Sequence, residues 1–217
     1  MRPFDTAIFD MDGTLVDTLK MTVGAFDELS EGFGLPRVPD ERIRAAMGLP
    51  EPQFYWKIFP DEDRETLRAF GRAVAAWEDE CARALGPDVL FPGVREMLDA
   101  LKAEGFHLCI ASTGSESHVT TSLIAGGIHG LFDCVACGSA DKGAMVARLI
   151  EGRDPARCFI AGDTRIDAAA GRSADIPTFG AGFGYLDPAE YALFDRVFET
   201  PGALTREVIG RGAGAPG

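Results

Sequence analysis

Apolar positions along this chain change their rhythm twice. Thr6-Ala7-Ile8-Phe9 is a short apolar run closed by Asp10 and Asp12-Gly13, the pattern of a buried strand entering a loop. From residue 18 to about 84 the period becomes helical. Met21, Ala25, Phe26 and Leu29, and later Leu67, Phe70, Val74, Trp77 and Cys81, recur three and four positions apart. Phe70, Val74 and Trp77 are read as the core of this stretch. Pro36, Pro39, Pro50, Pro52 and Pro60 cut it into separate helices, and no strand pattern interrupts it. After Gly86-Pro87 strands and helices alternate. Strands are predicted over 106–111, 134–137, 157–161 and a short final 178–179, with helices over 94–104, 117–125, 143–150 and 166–173.

Repeated β-α units predict an α/β fold, a doubly wound parallel sheet of Rossmann-like kind. The first strand cannot bury its apolar groups alone, so it joins the later strands. The helical stretch is then an insertion. Residues 1–17 and 87–217 form the core, and residues 18–86 an all-helical cap domain. Both connections leave near the carboxyl end of the first strand, where open α/β sheets bind ligands, so the cap is a candidate lid. The glycine-rich tail, 210–217, reads as mobile.

Charge narrows the partners. Lys and Arg number 21 against 34 Asp and Glu, a net −13, which excludes nucleic acid as a main partner and gives no attraction to anionic membranes. No apolar run approaches the roughly 18 residues of a membrane span, and Met1–Asp5 is too short and polar for a secretion signal. Five cysteines, an odd number, suit a reducing compartment, and a cytoplasmic location is expected. Cys134-Val135-Ala136-Cys137 has redox-motif spacing but reads as a buried strand with its sulfurs on opposite faces, and no second Cys or His pair completes a zinc site. An acidic chain can handle an anion only through local positive charge or a metal ion.

Four polar clusters supply that condition: Asp10-Met11-Asp12-Gly13-Thr14, Ser112-Thr113-Gly114, Asp141-Lys142-Gly143 and Gly162-Asp163-Thr164-Arg165-Ile166-Asp167. Each follows a predicted strand, so a parallel sheet brings all of them to one edge. Carboxylates gathered there repel one another without a cation, and hard oxygen ligands suit Mg²⁺. Taken singly, each cluster is an ordinary turn or helix cap; their coincidence is the signal.

Asp10-x-Asp12-Gly13-Thr14, Ser112, Lys142 and Gly162-Asp163-x-x-x-Asp167 resemble the motifs of the haloacid dehalogenase-like superfamily. Gly13–Thr18 and Phe91-Pro92-Gly93-Val94 resemble its phosphoglycolate-phosphatase-like branch, whose helical cap follows the first motif. The likeness runs from Thr6 to about Glu199, with Gly143 where the family usually has Pro. It implies a Mg²⁺-dependent phosphomonoester hydrolase acting on a small phosphorylated metabolite as a monomer or homodimer. Asp10 would be the nucleophile. Asp12 would be the acid and base, protonated at the outset with the help of its acidic neighbours. Asp10, Asp12 (through its backbone carbonyl), Asp163 and Asp167 would hold the metal. Ser112, or Thr113 if the register shifts by one, would bind phosphate with Lys142. A sugar phosphomutase and a non-catalytic phosphate-binding regulator are the alternatives. A dehalogenase would dispense with the second carboxylate. His107, His118 and Arg165 are expected to be structural or solvated. In the loop 47–54 and beside it, Arg44, Gln53 and Trp56 are candidates for substrate selection.

Overall fold

The computed structural model describes residues 3–210, so all but the first residue of the glycine-rich tail lies outside the described residues. The chain opens with β1 (Thr6–Phe9) and passes through α1 (Thr18–Leu29), α2 (Asp40–Arg44), α3 (Gln53–Ile58) and α4 (Arg64–Leu85). It continues as α5 (Val94–Ala103), β2 (His107–Ser112), α6 (Glu116–Ala125), β3 (Cys134–Cys137), α7 (Lys142–Leu149), β4 (Cys158–Gly162), α8 (Arg165–Ser173), β5 (Thr178–Ala181), β6 (Arg196–Phe198) and α9 (Pro201–Ile209). The strands form one parallel sheet in the order β3-β2-β1-β4-β5-β6.

β1 sits inside the sheet, Ile8 in register with Cys109 of β2 and Ile160 of β4. Its alternate side chains are apolar because both faces are covered. Ala7 and Phe9 pack with Leu98 of α5, Leu123 of α6 and Leu204 of α9, while Ile8 packs with Val146 of α7 and Ala170 of α8. The doubly wound architecture is thus as expected. The chain does not end its sheet at 178–179, however. β6 spans three residues, too short to show a period, and α9 follows it behind Thr200, whose hydroxyl accepts from Ala203 N–H.

β3 lies where expected but is not buried. It is an edge strand, with Cys134 exposed and Val135 43% exposed, and edge position is not written in an apolar run. The thiol beside Cys134 is its register partner Cys109 rather than Cys137. With His107, whose Nε2 is 3.7 Å from Cys134 Sγ, these ligand atoms lie within 4.8 Å of one another, a grouping that spacing along the chain conceals.

The four helices after β1 have a core of their own. Phe26 is at its centre, with ring centroids 5.0 Å from Phe70 and 5.9 Å from Phe59, and Leu67 and Val74 of α4 close beside it. Trp77 packs against this cluster, as its helical spacing predicts. The unit joins the sheet through two crossings that hydrogen-bond to each other: Asp17 N–H to Val89 O at 2.8 Å and Phe91 N–H to Leu15 O at 3.0 Å. No helix among the described residues is long and apolar enough to cross a membrane.

Candidate active site

The carboxyl edge of the sheet collects the predicted clusters. After β1 the chain turns sharply, with the N–H groups of Leu15 and Val16 both returning to Met11 O. Gly13 makes this turn with φ +80°, and a Cβ there would lie 2.3 Å from Asp163 Oδ2. Only glycine satisfies both the dihedral and the close approach. β4 ends at Gly162, against which Asp167 packs directly, and Lys142 opens α7 behind its cap Asp141. Gly143, in place of the usual Pro, lets α8 come close, since a Cβ there would meet Ser173 Oγ at 2.8 Å.

Lys142 Nζ lies 2.5 Å from Asp10 Oδ1 and 2.7 Å from Asp167 Oδ1, all three side chains being buried. The other Asp167 oxygen accepts from Thr164 N–H at 3.1 Å and its hydroxyl at 2.7 Å, so Asp167 is both a helix cap and a member of the site. Asp163 Oδ1 accepts from the Thr14 hydroxyl at 3.3 Å. The carboxylates of Asp10, Asp163 and Asp167 lie within 4.8 Å of one another. One ammonium cannot balance three carboxylates. Burial pushes Asp10 up to about 7, with Asp167 and Asp12 adding to the shift against the pull of Lys142. Burial, then Asp10 and Asp167, pushes Asp163 well above the carboxylate range. Buried oxygen ligands short of counter-charge are what a hard divalent cation relieves, so the residues fit one.

Asp12 stands apart from this group. Its Oδ1 accepts from the Thr18 hydroxyl at 2.6 Å and lies 2.8 Å from His118 Nε2. Burial raises Asp12, but the charge and hydrogen bond of His118, with Thr18, outweigh it and leave the carboxyl below its ordinary value. Burial works against charge on His118, yet Asp12 above all lifts it to about 9. This differs from the expectation that acidic neighbours keep a proton on Asp12: His118 and Thr18 favour its ionised form. It also removes His118 from the solvated residues. The available signal was its place three residues beyond the cap Ser115, in the first turn of a helix beginning at this edge.

A cavity of about 510 Å³ opens above Asp10, Asp12 and Lys142. Thr113 lines it, whereas Ser112 is buried beneath, its Oγ accepting from Gly114 N–H at 3.0 Å. The opposite wall comes from the helical unit. Met47–Glu51 and Phe54 line it, and a Cβ on Gly48 would lie 2.9 Å from Thr164 Cγ2. Arg44, Gln53 and Trp56 do not line this cavity. Arg44 lies over the Tyr185 ring at 5.1 Å and Trp56 is covered by Arg64 at 4.4 Å. Arg165 pairs with Glu190 at the surface. Thr22 and Glu78 of the cavity wall were not foreseen, nor was Tyr185, whose hydroxyl joins Asp17 and Leu19 N–H.

Residues 7–181 match the family model of the haloacid dehalogenase-like hydrolases, and the chain belongs to that enzyme family. It is 31% identical to the probable phosphatase IndB of Dickeya dadantii over 195 residues, covering 85% of this chain and 83% of the relative. It is 28% identical to a phosphoglycolate phosphatase of Agrobacterium fabrum, with 96% of each covered. The fold matches a crystal structure from Haemophilus somnus 129pt, described as a predicted phosphoglycolate phosphatase, with TM-score 0.84 and 23% identity over 95% of this chain and 98% of that one.

Proposed function

We propose that the chain is a Mg²⁺-dependent phosphomonoester hydrolase that works through an aspartyl-phosphate on Asp10. The observation that carries this is the buried Lys142 bridge between Asp10 and Asp167, beside Asp163 and at the floor of a cavity that Asp12 also lines. An Asp10 oxygen attacks phosphorus as the bond to the leaving oxygen breaks. Asp12 relays a proton from His118 Nε2–H, taken at Oδ1, to that oxygen, which leaves the Asp12 carboxylate ionised and His118 neutral. Asp12 then takes a proton from the water that attacks phosphorus and releases phosphate from Asp10. Lys142 holds the Asp10 carboxylate in place and offsets phosphoryl charge, while Thr113 and Ser112 are the hydroxyls for the phosphate oxygens. Asp10, Asp163 and Asp167, with the Asp12 carbonyl, are the residues to hold Mg²⁺, which when bound supplies further positive charge for the phosphoryl oxygens. Residues 18–86 act as a cap on the core formed by 1–17 and 87–217, excluding bulk water and contacting the leaving group.

The test is phosphate release from p-nitrophenyl phosphate with Mg²⁺. Asp10→Asn is expected to lower turnover by about a thousandfold or more with the melting transition preserved. Near-wild-type turnover in that variant would overturn the covalent mechanism.

A further inference from the structure

The cavity has two chemically distinct sides. At the sheet edge lie Asp10, Asp12 and Lys142; from the helical unit come Thr22, Tyr55 and Glu78, the last near enough to His118 and Asp12 to act on both, with the apolar Leu49, Pro50 and Phe54. A phosphoryl group held at the first side directs the rest of its ester toward the second. Glu78 is fixed there. Thr22, one helical turn beyond Thr18 on α1, donates its hydroxyl to Glu78 Oε1 at 2.5 Å. This is the one hydrogen bond to the Glu78 carboxylate among the described residues, which leaves acceptor capacity facing the cavity. Glu51 stands at the exposed rim of the same wall and acts electrostatically on both Glu78 and Tyr55.

The cationic lining is equally informative. Among the described residues that line the cavity, only Lys142 and His118 can carry positive charge. Lys142 is held by Asp10 and Asp167, and His118 by Asp12. No arginine or second lysine lines the leaving-group side. Once Glu78 is ionised, above pH 7, a carboxylate on the leaving group therefore meets acceptors and negative charge where it needs donors and a cation. Hydroxyl groups, in contrast, can donate to Glu78 and lie against the apolar wall through their carbon skeleton. The volume of about 510 Å³ is within the range of small-metabolite sites.

We propose that this cavity selects phosphomonoesters of neutral, hydroxyl-rich alcohols, the sugar and polyol class, and rejects phosphorylated carboxylic acids, with Glu78 as the discriminating side chain and Glu51 reinforcing it from the rim. The inference rests on the phosphatase reading above and sets this chain's preference apart from the substrate that the names of its relatives carry.

The experiment compares kcat/KM at pH 8, where Glu78 is ionised, for glycerol 3-phosphate with 3-phosphoglycerate, and for a hexose 6-phosphate with 2-phosphoglycolate, with p-nitrophenyl phosphate run alongside. The first pair differs chiefly in a hydroxymethyl group against a carboxylate. A preference of about 100-fold for the neutral alcohol esters is expected from like-charge repulsion at a few ångströms in a partly screened site. Glu78→Gln should narrow each ratio by about tenfold, and Glu51→Gln by about twofold because of its exposure. Ratios within one variant do not depend on the fraction that folds, and the rim variant keeps the test open if Glu78→Gln expresses poorly. Equal or greater turnover of the phosphorylated acids by the wild type would overturn the substrate class while p-nitrophenyl phosphate turnover stands. Unaltered ratios in Glu78→Gln would overturn the role of Glu78. Failure to hydrolyse p-nitrophenyl phosphate would instead overturn the phosphatase reading on which the proposal rests.

Discussion

Lys142 is the residue whose removal changes most. Its charge persists despite burial because Asp10 and Asp167 hold it at 2.5 and 2.7 Å. Lys142→Met leaves three buried carboxylates without their ammonium and should cost about 3–5 kcal/mol. Mg²⁺ should recover part of that loss, so the melting temperature of the variant should rise more with Mg²⁺ than that of the wild type. Equal Mg²⁺ responses would contradict the shared electrostatics. Glu78 behaves differently. Burial lifts its carboxyl from 4.5 to about 7, against the pull of His118 and Thr22. A raised acid contributes stability that is complete below its ordinary value and lost as pH rises through 7. Glu78→Gln does not ionise, so its stability relative to wild type should grow between pH 4.5 and 8 by about 3 kcal/mol. Urea midpoints at the two pH values measure this, and a constant difference would refute it.

Two glycines separate strain that an element can absorb from strain it cannot. A Cβ on Gly162 would fall 2.1 Å from Asp167 Cγ, at the first turn of α8, where Asp167 is tied to Lys142 and Thr164. Gly162→Ala should lower stability by about 2–3 kcal/mol and remove most turnover, because Asp167 must leave its place. At Gly143 the nearest atom is the rotatable hydroxyl of Ser173, so Gly143→Ala should cost about 1 kcal/mol or less. Thermal melts and phosphate release compare the pair; the reverse order would show that the helix interface, not the carboxylate, is the rigid partner. These elements also mark what could be read in advance. β1, β2, β3 and β4 were legible because apolar runs end in polar clusters at the sheet edge, and Asp10, Lys142, Asp163 and Asp167 came together for the same reason. β6 was not legible at three residues, nor was the exposure of Cys134, which depends on strand order. His118 and Glu78 reach Asp12 and Thr22 from distant helices, and no local period encodes that approach.

For the molecule as a whole, the carboxylate cluster makes activity and stability share one requirement. Chelator should abolish phosphate release and lower the melting temperature, and Mg²⁺ should restore both, with the shift growing as the logarithm of its concentration. Restored activity without any thermal shift would place the cation outside this cluster. The helical unit adds a second property through its attachment. Its entry and exit strands are bonded side by side, Asp17 to Val89 and Leu15 to Phe91, and Tyr185 clasps the entry strand through Asp17 and Leu19. Beyond these crossings α4 packs on α6, and Met21 and Ala82 enter the core beneath the sheet, so the unit is seated on the core as well as tethered to it. Excising the unit would strip Met21, Ala82 and Trp77 from that shared core, so the lid is also part of what keeps the sheet dry.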